Sequence, residues 1–242
     1  MSLDSLVSPM HRSEQERLVG HYGAERIIEG LTPFVSERRR QRIEQVLGAR
    51  LRSMQVAIER PYDPHNAAAV VRSAEAQGAW AVHVIAASES ILRSRKTTAG
   101  THHWIETRHY PELPAFLEVA AERGMLLAGA CVDATHMLEE LPVDRPLCLL
   151  FGNEHAGLST EAQAACDLRF RIPIHGFAES YNLSVAAALS LYSVGTRRRA
   201  LLGQAGDLDD ETRALERARW YMRSVDERHV RVAFPAPTPG TS

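Results

Sequence analysis

Apolar and polar positions along this chain follow two periods, one helical and one strand-like, and the period switches repeatedly. Behind Ser36, a candidate cap, Ile43, Val46 and Leu47 recur at helical spacing. MQVAIE (54–59) then shows β-type alternation and ends at Pro61, where PYDPHN forms a turn. NAAAVVRSAEAQG (66–78) reads as an alanine-rich helix closed by Gly78, with Asn66 as a candidate N-cap. AVHVIAA (81–87) is a strand, residues 113–123 a helix stopped by Gly124, and MLLAGACV (125–132) and PLCLLF (146–151) are buried strands. Ser159 caps a short helix through about Ala165, RFRIPI (169–174) is a fifth strand, and residues 183–202 form a long final helix.

Five strands alternating with helices predict an α/β fold, a mostly parallel sheet covered by helices on both faces. The expected organisation is a helical, arginine-rich N-terminal extension (1–50), an α/β domain (51–202) and a charged helical C-terminal extension (203–242). Residues 209–228 are expected to be helical, and the proline-rich tail FPAPTPGTS to be disordered.

Composition alters this picture little. With 45% hydrophobic residues the chain is expected to be globular, and no apolar run reaches the roughly 20 residues that span a bilayer. The N-terminus shows no secretory h-region, so a cytoplasmic location is expected. Cys131, Cys148 and Cys166 lie in apolar surroundings without CxxC spacing and read as reduced core residues. The net charge of −2 speaks against a nucleic-acid partner, but its distribution speaks for one. Residues 36–52 hold six arginines, including Arg38, Arg39 and Arg40, against two glutamates. Arg93, Arg95 and Lys96 make a second cluster and Arg197, Arg198 and Arg199 a third. Such clusters are either phosphate-binding footprints or solvated helix faces.

Ligands of open α/β sheets bind outside the carboxyl ends of the strands. Three polar stretches fall there: residues 61–72, 151–159 and 172–182. The second is FGNEHAGLS, with Glu154 and His155 set between Gly152 and Gly157. A nucleotide phosphate loop is excluded by the absence of GxxxxGK[ST] and GxGxxG. A metal site lacks HxxxH or CxxC partners, and a serine hydrolase would need GxSxG.

In order, the stretches PHNAAAVVRSAEAQGAW, LLFGNEHAGLS and IPIHGFAESYNLSVAAALSLY resemble the three signature motifs of the SPOUT superfamily, in its TrmH (SpoU) branch of RNA ribose 2'-O-methyltransferases. The resemblance covers about residues 38–202. From RRRQRIEQVL through TAGTHHW it is nearest to the enzymes that methylate a D-loop guanosine of tRNA. It implies a SPOUT methyltransferase domain with a C-terminal trefoil knot, a homodimer, S-adenosylmethionine as cofactor and an RNA substrate, tRNA favoured.

Carried over by position, the resemblance implies Arg72, Asn66, Glu154, Ser180 and Asn182 as catalytic residues. Ala130, Gly152, Asn153, Ile172 and Tyr181 match its cofactor contacts. A guanidinium keeps its proton, so Arg72 is read as a fork that grips a phosphate and orients the ribose hydroxyl. Glu154 at the lip is read as a carboxylate that holds an arginine, Arg72 or one from a second subunit. Ser180 and Asn182 open the last helix, and capping alone also accounts for them. His155 matches nothing in the motif. RNA is expected to meet Arg38, Arg39, Arg40, Arg93, Arg95 and Lys96, with Arg197–Arg199 a further candidate. One departure is His103, where tRNA-type relatives often carry lysine before the tryptophan. Ribosomal RNA as substrate, or a non-catalytic RNA-binding dimer of the same fold, are the rival readings.

Overall fold

The computed structural model describes residues 10–88 and 103–236. Its described residues divide into two units. One holds the chain up to Ala49 and from Leu208 onward, and the other is Arg50–Asp207.

The first unit is helical. It contains α1 (Arg12–Tyr22), α2 (Ala24–Leu31) and α3 (Glu37–Gly48), the last capped by Ser36, whose side chain accepts from the Arg39 N–H. Ile27, Leu31, Ile43 and Leu47 form buried stripes of these helices. The C-terminal helices named below as α8 and α9 complete this unit.

The second unit is the α/β sheet. In chain order it contains β1 (Met54–Glu59), α4 (Pro64–Ala76), β2 (Ala81–Ile85), β3 (Glu106–Tyr110), α5 (Leu113–Glu122), β4 (Leu126–Ala130), β5 (His136–Met137), β6 (Leu147–Phe151), α6 (Thr160–Ala165), β7 (Leu168–Arg171) and α7 (Leu183–Leu202). The chain continues into α8 (Asp210–Ser224) and α9 (Glu227–Ala233) of the first unit. The sheet order is β3-β2-β1-β6-β4-β7-β5, and every strand pair is parallel.

Both faces are buried, which is why β1 and β6 are buried at every position. Met54, Val56, Ile58, Leu147 and Leu149 face one core, with Val70, Val71, Ala187 and Leu191 from α4 and α7. Ala57, Cys148 and Leu150 face the other, with Phe116, Ala120 and Ala162 from α5 and α6. Parallel strands joined by helical crossovers leave no wet face, so their sequences become continuous apolar runs.

Among the described residues the sheet has seven strands where the pattern predicted five. β3 (ETRHY) lies on the edge and is half-polar, and β5 spans two residues, so neither carries a β-period signal. The helix expected over 209–228 breaks at Val225 and restarts after Asp226, a second cap that accepts from Arg228 N–H. All three cysteines are free. Burial raises the Cys131 and Cys148 thiols above their ordinary range and pushes Cys166 up to about 12, so none is a ready thiolate. Among the described residues no helix is long and apolar enough to cross a membrane.

Candidate active site at the carboxyl edge of the sheet

The loops after β1, β6 and β7 meet at one edge, and a single carboxylate ties the first two together. Glu154, in the loop after β6, accepts from the backbone N–H of Tyr62 (2.7 Å) and of Asp63 (3.2 Å) and from the side-chain amide of Asn66 (3.0 Å). Burial works to raise its pKa, but these hydrogen bonds outweigh it and hold the carboxyl below its ordinary range. The Asn66 carbonyl oxygen in turn accepts from the amide of Asn182 at 3.1 Å. Asn182 caps α7: its Oδ1 accepts from Ser184 N–H and Ser184 Oγ at 2.9 and 2.7 Å. One polar chain thus joins all three stretches picked out in the sequence.

Two expectations change here. Asn66 is not the cap of α4. The helix starts two residues earlier at Pro64, and Asp63 caps it by accepting from His65 N–H. Proline favours the first turn because its missing N–H would be unpaired there in any case, which leaves the Asn66 side chain available to Glu154. Glu154 does not hold Arg72; among the described residues, backbone amides and Asn66 take its oxygens. Arg72, about one and a half turns further along α4, is exposed and has no hydrogen-bond or ion-pair partner among the described residues.

The glycines of the second stretch close its loop. Asn153 and Gly157 exchange backbone hydrogen bonds (3.0 and 2.8 Å), and Asn153 Oδ1 accepts from His155 and Ala156 N–H. A Cβ on Gly152 would stand 2.1 Å from the Gly157 carbonyl carbon, and Gly157 has φ +69°. The close approach that Gly152 permits is therefore to the loop's own backbone. The Asn153 amide also donates to Arg60 O at 2.8 Å. Arg60 is the one non-glycine with positive φ (48°) among the described residues, so this bond fixes a strained turn at the end of β1.

A residue that sequence reasoning missed is Glu59. It is buried at the end of β1, and its carboxylate accepts from Ser159 N–H (2.8 Å) and Ser159 Oγ (2.7 Å). Ser159 caps α6, so Glu59 fixes the far end of the same loop that Glu154 anchors. The available signal was a carboxylate closing an otherwise apolar strand.

These loops enclose a cleft of about 590 Å³, within the usual size for a small-ligand site. Ala130, Gly152, Asn153, Ile172 and Tyr181 all line it, as do Glu154 and Ser180. Phe151, Phe170 and Leu183 supply apolar wall. Tyr181 is pinned by its hydroxyl to Pro173 O at 3.3 Å. Asn66 and Asn182 reach this region through Glu154.

The arginine clusters divide. Arg197 donates to the carbonyls of Leu138, Glu139 and Leu141, Arg198 to Ser53 Oγ and Val143 O, and Arg199 to Ala205 O and Gln77 O. This run is structural, which corrects its reading as an RNA grip: all three side chains donate to oxygens of the chain's own fold. Arg38 is exposed, Arg39 half-buried, and Arg40 pairs with Glu37 at 2.5 Å. Arg93, Arg95 and Lys96 lie outside the described residues. Among the described residues no group of three or more His, Cys, Asp or Glu could hold a metal.

A parallel sheet with an apolar cleft at its carboxyl edge, rimmed by amides and carboxylates, defines a small-ligand α/β protein whose site is built from loops. The particular family follows from comparison with known proteins. The SpoU rRNA Methylase family model matches residues 53–192, and the chain belongs to that family. It is 33% identical over 190 residues to the tRNA (guanosine(18)-2'-O)-methyltransferase of Thermus thermophilus, covering 78% of this chain and 98% of that protein. The A. aeolicus TrmH/SpoU tRNA modifying enzyme superposes with a TM-score of 0.67 at 25% identity, covering 76% of this chain and 96% of the other. The SpoU methyltransferase AviRb from Streptomyces viridochromogenes, in complex with the cofactor AdoMet, matches with a TM-score of 0.56 at 28% identity, over 60% of this chain and 57% of that one.

Proposed function

We propose that this chain transfers a methyl group from S-adenosylmethionine to the ribose 2'-hydroxyl of RNA, with a tRNA guanosine as target. The observation that carries this reading is the Glu154–Asn66–Asn182 chain. It locks the helix bearing Arg72 to the rim of a cleft lined by the motif residues. Family membership and the relatives' names support the chemistry and the substrate.

The cleft fits the cofactor in size and chemistry. Ala130, Phe170 and Ile172 offer apolar surface for an adenine, and the backbone of the loops through Gly152 and Tyr181 offers hydrogen bonds. When bound, S-adenosylmethionine supplies a methyl group already activated on a sulfonium. The chain's own task is then placement. Arg72 stays protonated, so it grips a backbone phosphate through its fork and turns the 2'-hydroxyl toward the cleft. The hydroxyl proton leaves to a phosphate oxygen or to water. Asn66, Glu154 and Asn182 hold the Arg72 helix in register, and Ser180 lines the side where the ribose enters. Holding hydroxyl and methyl in line supplies much of the rate.

The same reading places a trefoil knot where residues 151–159 and 172–182 surround the cleft, and a second copy of the chain against α7. On that helix Val185, Leu189 and Tyr192 are exposed by 44, 40 and 61% and fall one turn apart on one face. Sedimentation should show a dimer that Leu189→Glu weakens. The working compartment is the cytoplasm, where tRNA is processed.

The deciding experiment is transfer from labelled cofactor to total tRNA and to ribosomal RNA, with the modified sites mapped. Labelled tRNA, lost in Arg72→Ala, is the expected result. Labelling of ribosomal RNA alone would keep the chemistry and overturn the substrate. Full activity in Arg72→Ala would overturn the site.

A further inference from the structure

Glu154 holds Tyr62 by its backbone, at 2.7 Å, and leaves the ring 71% exposed. The residue after Glu154 completes the arrangement. The His155 imidazole meets the Tyr62 ring in a T-shaped contact, with centroids 4.9 Å apart and planes at 75°. The His155 backbone is fixed by Asn153 Oδ1 at 2.9 Å, and His155 lines the cleft. Two exposed residues from loops far apart in sequence thus have their backbones fixed by neighbouring side chains and their rings in contact with each other. A T-shaped contact occupies at most one face of the tyrosine, so a π-face stays accessible.

We propose that Tyr62, braced by His155, is the stacking platform for the nucleobase of the methylated nucleotide, a positioning role that rests on the RNA ribose methyltransferase reading. A ribose hydroxyl reaches a cleft of this kind only when its nucleotide is splayed from its neighbours, and the base then loses its stacking partners. An aromatic face at the rim replaces them. Tyr62 immediately precedes Asp63, the cap of α4, and α4 carries Arg72. The platform therefore stands just before the start of α4, and the phosphate fork lies a little over two turns along it. Every base has a π-face, so the pair positions the nucleotide without reading its identity. That answers what His155 does beside the anchoring carboxylate: it sets the plane of Tyr62.

The test uses full-length protein and a tRNA transcript carrying 2-aminopurine at the nucleotide that the wild-type enzyme methylates. In the wild-type complex with S-adenosylhomocysteine the 2-aminopurine fluorescence is quenched by stacking. Tyr62→Ala gives a brighter complex, and kcat/KM for tRNA falls about tenfold, within the range of one base–aromatic stack. Tyr62→Phe restores both readouts, His155→Ala gives a smaller loss of quenching, and S-adenosylmethionine binds equally well to the wild type and both Tyr62 variants. Unchanged quenching and kcat/KM in Tyr62→Ala overturn the platform, as does conversion of a wild-type dimer to monomer in that variant, which would make the ring a subunit contact. Failure of the wild-type enzyme to methylate any RNA overturns the parent reading instead.

Discussion

The side-chain amide of Asn182 donates to the side-chain carbonyl of Asn66 at 3.1 Å, across 116 residues of sequence. Each asparagine spends its remaining groups locally. Asn66 gives its amide to Glu154, and Asn182 caps α7 through its carbonyl. If this contact registers the two helices for catalysis, Asn66→Ala and Asn182→Ala should each slow single-turnover methyl transfer about tenfold or more. The double variant should be little worse than either single one. A coupling of about 0.5–3 kcal/mol in the cycle is the expected signature of groups in direct contact. Simple multiplication of the two losses would show that the residues act separately.

Glu154 makes a prediction about acid. Its pKa is lowered in the folded protein, so its contribution to stability is present above the ordinary carboxylate range and is lost as pH falls through the lowered value. In Glu154→Gln an amide that also donates faces the Tyr62, Asp63 and Asn66 donors. The melting temperature of the variant should lie below that of wild type by a constant margin from pH 8 to pH 5. The margin should shrink in stronger acid, once the wild-type carboxylate takes a proton. Thermal melts across that range read it directly.

His83 also weakens the fold in acid, beginning at a milder pH. It is buried in β2, with Nε2 2.8 Å from Gln55 Oε1 and Nδ1 3.1 Å from the Tyr110 hydroxyl. Burial, and then the Arg108 and Arg123 charges, lower its pKa to about 3. The unfolded chain therefore binds a proton that the folded chain refuses. Stability should fall as pH drops from about 6.5 toward 3, by up to about 1.4 kcal/mol per pH unit from this group. Denaturant titrations at pH 7.5 and 5 should show a smaller difference for His83→Gln than for wild type.

The arginines offer a contrast between fold and substrate. Arg197→Ala strips a donor from three carbonyls and should cost about 1–3 kcal/mol. In a chain of this size each kcal/mol lowers the melting temperature by about 2–4 °C. Arg38→Ala, at an exposed helix position, should leave the melt unchanged while reducing the salt dependence of tRNA binding by about one phosphate contact.

Much of this molecule was legible in the chain itself. Continuous apolar runs such as LCLLF mark buried parallel strands because no face of such a sheet meets water, and Ser36, Ser159 and Asn182 stand where helices begin because their side chains pair with orphaned N–H groups. The three stretches at strand ends could likewise be picked out, since a connector has no need of so many polar groups. What the order of residues did not contain was which polar group meets which. Arg72 is a candidate partner for Glu154 in the sequence, but in the fold Glu154 holds two backbone amides and Asn66, and the Arg197–Arg199 run turns inward to the chain's own oxygens. ETRHY became a strand only because a parallel neighbour offered its edge. Local propensity and periodicity are properties of neighbours in sequence and fix the elements. Hydrogen bonds between side chains a hundred residues apart depend on how the elements pack, and only the folded chain decides them.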